Sequence, residues 1–176
     1  MTRVTPMTRV SILSLCAAVL LTSGPVARAD EAGELPLRKS GRWEMKTVMD
    51  EGLGPREQVL TMCIDADMER NTAKASKANH AQNCTKYEVT RSGGATTVDA
   101  LCNYEGRKVE SVTEMRGDFE TTFKVTINST TSGSEYGQSV SVKRTITQDG
   151  TYLGESCGDL RAGEAMGSDG HKIMVQ

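Results

Sequence analysis

A serine motif late in the sequence is the first candidate for chemistry. Residues 154–158 read Gly-Glu-Ser-Cys-Gly and match the G-x-S-x-G pattern, in which a strained turn exposes a nucleophilic serine. That pattern needs a strand, turn and helix within a large α/β sheet, with an acid and a histidine later in the chain. Only His171 follows Ser156 in the sequence. Because the surrounding segments predict a small β-protein, we interpret Cys157 as a disulfide partner and expect no catalytic site.

Three acidic residues, Asp65, Asp67 and Glu69, resemble the start of a calcium loop. Such a loop needs glycine at its sixth position and glutamate at its twelfth, where this sequence has Arg70 and Ser76. An aspartate before a stretch rich in alanine and lysine, without glycine or proline, is instead typical of a helix N-cap. We therefore predict a helix over residues 65–79, and neither a metal nor a cofactor.

Arg144 is the candidate ligand-binding residue. Val140, Val142 and Ile146 alternate with polar neighbours, and this period of two places Arg144 on the apolar side of a strand. An inward arginine needs an acidic partner or an anionic ligand, unless a bulge or the rim of the sheet lets it reach water. Arg144 is therefore predicted either to lie at a rim or bulge, or to contact the head group of a ligand.

The first 29 residues have the order of a secretory signal peptide. Arg3 and Arg9 precede an apolar run over residues 10–21, and Ala27 and Ala29 form an A-x-A cleavage site. The run is shorter than the roughly 20 residues that span a bilayer, and no second run occurs. We predict cleavage after Ala29, a periplasmic location and no membrane span after cleavage.

The chain that remains is mildly acidic. Removal of the leader takes away its arginines and no acid, so the formal net charge changes from −2 to −5. A domain of that charge has no electrostatic reason to bind nucleic acid or anionic lipid. We predict a lead-in over residues 30–40, a single β-rich domain over 41–157 and a flexible tail over 158–176.

Residues 84–127 predict a four-stranded antiparallel meander. Residues 93–94 and 105–106 have the composition of two-residue turns, and residues 116–118 fit a three-residue loop. All three turns place small and apolar residues on one face and charged residues on the other. The resulting register pairs Ser92 with Ala95, Val89 with Val98, Thr85 with Cys102, Cys102 with Val109, Ala100 with Ser111, and Met115 with Phe119.

Further strands are predicted around Trp43, at residues 58–64 and at residues 140–147, with Gly150 ending the last of these. Seven or eight antiparallel strands, with one helix inserted after the second, can close as a small up-and-down barrel or form a curled sheet. The predicted inner face combines apolar residues at one end with small and hydroxyl residues: Phe119, Phe123, Val125, Ile127, Ala100, Ser111, Thr113 and Thr121.

Four cysteines follow the leader, and an even number in an exported chain predicts two disulfides, with three possible pairings. A zinc site is disfavoured because no C-x-x-C pair occurs. The predicted register places Cys102 on the inner face and Cys84 on the outer face, opposite Asn103. We therefore favour Cys63–Cys84 together with Cys102–Cys157.

Several of these features together resemble the bacterial "domain of unknown function 3617" family over residues 41–157. The sequence departs from that pattern by extra residues before Cys157 and by a longer tail. The resemblance implies an exported β-rich domain with no established activity or functional residues. It rests on Gly41-Arg42-Trp43-Glu44, Cys63-Ile64-Asp65-Ala66-Asp67, Cys84, Arg91-Ser92-Gly93, Cys102 and Tyr152-Leu153-Gly154 before Cys157.

Two functions remain open from the sequence. The first is a non-catalytic periplasmic protein whose mixed inner face binds a small amphipathic ligand. The alternative is a structural or interaction protein of the cell envelope, with a filled interior and a protein partner on its surface. Retention of a ligand distinguishes the two.

Overall fold

The described part of the chain consists of nine β-strands and one α-helix. The structure, a computed structural model, describes residues 34–175, which lie within one compact unit. The predicted signal peptide lies outside the described residues. In chain order the elements are β1 (Gly41–Asp50), β2 (Arg56–Ile64), α1 (Ala66–Asn83), β3 (Cys84–Ser92), β4 (Ala95–Tyr104), β5 (Arg107–Gly117), β6 (Thr122–Glu135), β7 (Gln138–Gly154), β8 (Glu164–Gly167) and β9 (Lys172–Met174).

The strands form one antiparallel sheet in the order β3-β4-β5-β6-β7-β1-β2-β8-β9. Strands β3 and β9 are its two edges, so the sheet does not close. The predicted fold, mainly β with one helix after the second strand, is confirmed, and of its two forms the curled sheet is observed. Helix α1 leads from β2 to the β3 edge and contacts β3 and β4.

The hydrophobic core lies on one face of this sheet, which we call the core face. Trp43 pairs with Met62 across β1 and β2 and with Tyr152 across β1 and β7, so strands distant in sequence contribute to one cluster. Period-two alternation then sends the intervening charged residues to the other side, which we call the opposite face. The core cluster consists of Trp43, Met45, Met62, Ile64, Phe119, Phe123 and Ala165.

The first two turns of the meander have the predicted register, and the third does not. Ser92 pairs with Ala95 and Tyr104 with Arg107, as two-residue turns require. Across the third turn, however, Met115 pairs with Val125 rather than with Phe119. The shift is an even number of residues, so the side chains of β6 up to Ile127, as far as the prediction reached, stay on their predicted faces.

The carboxylate of Asp118 explains the longer third turn. It accepts hydrogen bonds from the backbone N–H groups of Glu120, Thr121 and Thr122 and from the Thr121 hydroxyl. These bonds lower the pKa of Asp118 well below its usual range, the Thr121 hydroxyl having the largest effect. The turn formed in this way directs Phe119 into the core, where its ring stacks on that of Phe123 at 4.9 Å.

Helix α1 begins where the sequence predicts. It ends at Asn83, four residues beyond the predicted end at residue 79. The Asp65 carboxylate accepts a hydrogen bond from the Met68 backbone N–H at 2.7 Å, which confirms the N-cap. The helix continues past His80, whose ring stacks on Tyr87 of β3 with 4.4 Å between centroids. This tertiary contact supports a last helical turn that lies beyond the predicted end of the helix at residue 79.

The prediction of a flexible tail after residue 157 is wrong for β8 and β9. Strand β8 pairs with β2, opposite Leu60, Thr61 and Met62, and β9 pairs with β8. Ala165 and Leu160 are buried. The segment is ordered because β2 would otherwise leave a hydrogen-bonding edge unpaired beside the core, and the polar, glycine-rich composition conceals that role.

The predicted disulfide pairing is also wrong. The structure joins Cys63 to Cys157 and Cys84 to Cys102. A bulge at Thr85 shifts the start of β3 by one residue, so Cys84 rather than Thr85 lies opposite Cys102. A one-residue slip moves a side chain to the other face of a strand. The uninterrupted register assumed from the sequence therefore separated two cysteines that are cross-strand neighbours.

Strand β7 runs through Gly150, where the sequence analysis ended it. Gly150 pairs with both Met45 and Phe123, in the middle of the core. A β-carbon placed there would lie 2.2 Å from Cε1 of the Phe123 ring, closer than such atoms can approach. Because Gly150 has no side chain, the Phe123 ring can occupy the space beside it. Gly150 therefore serves packing and does not end the strand.

Replacement of Gly150 by alanine is expected to lower the free energy of unfolding by about 1–3 kcal/mol, because the Phe123 ring must move from its place against Trp43. Urea unfolding followed by tryptophan fluorescence measures the change. Gly133→Ala is the matched control, since the nearest atom to its new β-carbon is the flexible Arg107 side chain at 3.3 Å. Equal stability losses in the two variants would contradict the packing role of Gly150.

Candidate functional site

The serine motif is not arranged as a nucleophile elbow. Residues 155–158 lie in a loop after β7, and among the described residues the one helix, α1, lies far earlier in the chain. The Ser156 Oγ accepts a hydrogen bond from the Gly158 backbone N–H at 3.3 Å. Cys157 is joined to Cys63, the disulfide role expected for it, although with a different partner.

The two histidines lie in unrelated surroundings. His80 of α1 is half-buried against Tyr87, with its Nδ1 3.4 Å from the Ser76 hydroxyl, and burial lowers the pKa of its imidazole. His171 is exposed in the turn between β8 and β9. Across residues 34–175 no group of three or more His, Cys, Asp or Glu side chains is placed to hold a metal ion.

Arg144 has an acidic partner. Its position on β7 keeps it in phase with Ile146 and Gln148, as predicted, but the side chain is exposed and its Nε donates to the Glu51 Oε1 at 2.7 Å. The hydrogen bond from Arg144 lowers the pKa of Glu51. Glu51 belongs to the loop between β1 and β2, so Arg144 lies at the rim of the sheet. Its contact with a ligand remains a prediction.

The core face contains a cavity of about 470 Å3, which we call the core-face cavity. Its apolar lining comes from strands of both halves of the sheet and from the third turn. Gln58 and Val175 at its border are exposed, so the cavity opens to solvent there. The apolar lining consists of Leu35, Pro36, Met45, Leu60, Met62, Met115, Phe119, Phe123, Val125, Ala165 and Val175.

Three neutral polar side chains of adjacent strands line one side of this cavity. They are Thr47, Gln58 and Gln148, which pair across β2, β1 and β7. Gln148 Nε2 lies 3.3 Å from the Thr47 Oγ1 and donates a hydrogen bond to it. The amide of Gln58 lies at the exposed border of the cavity. The cavity therefore offers donors and acceptors beside an apolar surface.

The lead-in residues before β1 close another side of the cavity. Leu35 and Pro36 contribute to its wall. The segment is held because the Lys39 backbone N–H donates to the Phe119 carbonyl at 2.8 Å, and the Trp43 indole donates to the Lys39 carbonyl at 2.8 Å. A segment that sequence analysis treated as a simple connection thus completes the site.

An ion pair links the lead-in to the helix at the cavity wall. Arg38 donates to Glu69 through its Nη2 at 2.7 Å and its Nε at 2.9 Å, and Glu69 is almost fully buried. Sequence reasoning missed both residues. They are 31 positions apart in the chain, and only the path of the lead-in across the core face brings them together.

A second concavity, of about 550 Å3, lies on the opposite face and is called the opposite-face groove. Charged and polar residues dominate it, including the ion pair between Lys86 and Asp99 at 2.7 Å. Ala100, Leu101 and Val112 are its apolar residues, and Arg144 borders it. The groove is larger than the core-face cavity, and most of its lining residues are polar or charged, whereas most residues that line the core-face cavity are apolar.

The chain contains no helix, among residues 34–175, that is long and apolar enough to cross a membrane. No curated protein and no solved structure matches the sequence. The model of one protein family, described as "Protein of unknown function (DUF3617)", matches residues 38–157. That match covers β1 to Cys157, including both disulfides and most of the residues that line the core-face cavity. The chain therefore belongs to the DUF3617 family.

Proposed function

We propose that this protein is a non-catalytic binding protein of the periplasm that holds a small amphipathic ligand in the core-face cavity. The observation that carries the proposal is the lining itself, in which an apolar surface meets the neutral polar side chains of Thr47, Gln58 and Gln148. Sites of a few hundred Å3, mostly apolar with a few convergent polar groups, are typical of small-molecule binding.

Two further features support the proposal. Both disulfides are of the kind that forms and persists in an oxidising compartment, which agrees with export. Neither the candidate nucleophile Ser156 nor a histidine is among the residues that line the core-face cavity, which favours a binding role there over catalysis.

Native mass spectrometry of the protein purified from the periplasm tests the proposal. We expect a bound mass that is lost on denaturation, and a polypeptide mass that corresponds to cleavage after Ala29 and two disulfides. A wild-type protein that carries no additional mass and takes up no apolar probe would contradict ligand binding.

A tryptophan placed in each concavity identifies the binding face. Val125→Trp adds bulk inside the core-face cavity and is expected to weaken ligand or probe binding by at least about tenfold, because the ligand and the new ring compete for the same volume. Val112→Trp is the matched control on the neighbouring strand, where Val112 lies on the opposite face. Loss of binding in the control alone would place the ligand in the opposite-face groove.

A surface partner is the second candidate function, and the opposite-face groove favours it. Charged and polar residues dominate the lining of the groove, which fits the rim of a protein interface better than a small-molecule site. Pull-down of one envelope protein by the wild type, and its loss in Val112→Trp but not in Val125→Trp, would support this alternative.

A further inference from the structure

We propose that the core-face cavity selects uncharged amphipathic ligands and rejects anionic ones, because the Glu69 carboxylate already neutralises Arg38 at its wall. This inference rests on the proposed function, since it names the ligand class of the same cavity. Among the described residues that line the cavity, Arg38 and Glu69 are the charged ones. The charge that a ligand meets therefore depends on this pair.

The hydrogen bonds of the pair occupy one edge of the Arg38 guanidinium. Glu69 Oε1 accepts from the Arg38 backbone N–H at 3.0 Å and from its Nε at 2.9 Å, and Oε2 accepts from Nη2 at 2.7 Å. The remaining terminal nitrogen, Nη1, lies 3.9 Å from the Met62 sulfur. Thus the Nε and Nη2 edge of the guanidinium binds Glu69, whose negative charge balances that of Arg38 at the cavity wall.

Burial makes this neutralisation matter. The side chains of Arg38 and Glu69 are only 15% and 9% exposed to solvent. Water therefore screens their charges weakly. A ligand carboxylate, sulfonate or phosphate entering the cavity would lose hydration and meet a carboxylate as well as a cation. Its desolvation would therefore not be offset.

An uncharged ligand meets no such cost. Its apolar part would contact residues such as Leu60, Met115 and Phe123. A hydroxyl, ester or amide group could exchange hydrogen bonds with the Gln58 and Gln148 amides, which both donate and accept. The chemical class that fits is an apolar molecule with one neutral polar group.

Two fluorescent probes with the same aromatic skeleton test this selectivity. Phenylnaphthylamine is uncharged, and anilinonaphthalene sulfonate is an anion. With the disulfide-bonded wild-type protein, we expect the uncharged probe to have a Kd at least about tenfold lower than that of the anionic probe. The fluorescence that each probe loses when Val125→Trp replaces the wild-type protein is the part of the signal that arises in this cavity.

Glu69→Gln is the decisive variant. It keeps the size of the side chain, removes the negative charge and leaves the Arg38 cation at the cavity wall. The Kd of the anionic probe is expected to fall by about tenfold or more, while that of the uncharged probe changes little. Glu57→Gln makes the same change in net charge on the opposite face, where Glu57 pairs with Lys46, and should leave both Kd values unchanged.

The double variant Arg38→Gln/Glu69→Gln distinguishes an effect of charge from a general loosening of the fold. It restores a neutral wall, so the preference for the uncharged probe should return to that of the wild type. If the anionic probe binds the wild type as tightly as the uncharged one, or if Glu69→Gln leaves their ratio unchanged, the charge selectivity is overturned while ligand binding stands. If neither probe binds the wild type, the proposed function is overturned as well.

Discussion

Replacement of Trp43 by alanine is expected to lower the free energy of unfolding by about 3–5 kcal/mol, as for other fully buried large aromatic residues. Trp43 is 0% exposed, and its ring lies 5.4 Å from that of Phe123 and 5.3 Å from that of Tyr152. The loss combines apolar area, a cavity, and the hydrogen bond from the indole to the lead-in. Urea unfolding followed by far-ultraviolet circular dichroism measures it.

Two variants separate these contributions. Trp43→Phe keeps an aromatic ring but loses the hydrogen bond to the Lys39 carbonyl, so a smaller loss of about 1–2 kcal/mol is expected. Tyr136→Ala removes an aromatic residue that is 100% exposed and should change stability by less than about 0.5 kcal/mol. A Trp43→Ala protein as stable as Tyr136→Ala would show that the core is not centred on Trp43.

Removal of the Cys63–Cys157 disulfide is expected to destabilise the fold more than removal of Cys84–Cys102. The two bridges join residues 94 and 18 positions apart. In the chain-entropy model the longer loop restricts the unfolded chain more, and the expected losses are about 4–5 kcal/mol and about 3 kcal/mol. Each bridge is removed as a pair of cysteine-to-alanine substitutions, and urea unfolding compares the two double variants.

Peptide mapping without reduction checks the pairing directly. It should recover the peptide of Cys63 linked to that of Cys157, and the peptide of Cys84 linked to that of Cys102. A linked peptide that contains Cys63 and Cys84 would contradict the structure and restore the pairing favoured from the sequence. The bulge at Thr85 is the feature that distinguishes the two outcomes.

Short-range signals in the sequence predicted much of the fold. The two-residue turns place Ser92 opposite Ala95 and Tyr104 opposite Arg107, because a tight turn determines the register of its hairpin. The Asp65 cap begins the helix for an equally local reason. Even where the third turn was assigned the wrong length, the faces of β6 were right, since an even shift preserves alternation.

The candidate site was only partly predictable. The mixed character of the inner face was expected, and Phe119, Phe123 and Val125 do line the cavity. Its charged pair and its lead-in wall were not expected, because Arg38 and Glu69 carry no motif and meet only through tertiary structure. Arg144, which the alternation singled out, lies at the rim with Glu51 because the loop between β1 and β2 brings an acid to it.

The sequence by itself determined which residues alternate between the two faces, where the tight turns lie and where the helix begins, since these depend on neighbours a few positions apart. Only the tertiary structure decided which cysteines pair, that Gly150 makes room for Phe123, and that β8 completes the edge of β2. These outcomes depend on a single bulge and on contacts between distant segments. A one-residue bulge, or a glycine that makes room for a distant side chain, does not change the periodic pattern of the sequence. Such features can be recognised only once the strands are assembled in three dimensions.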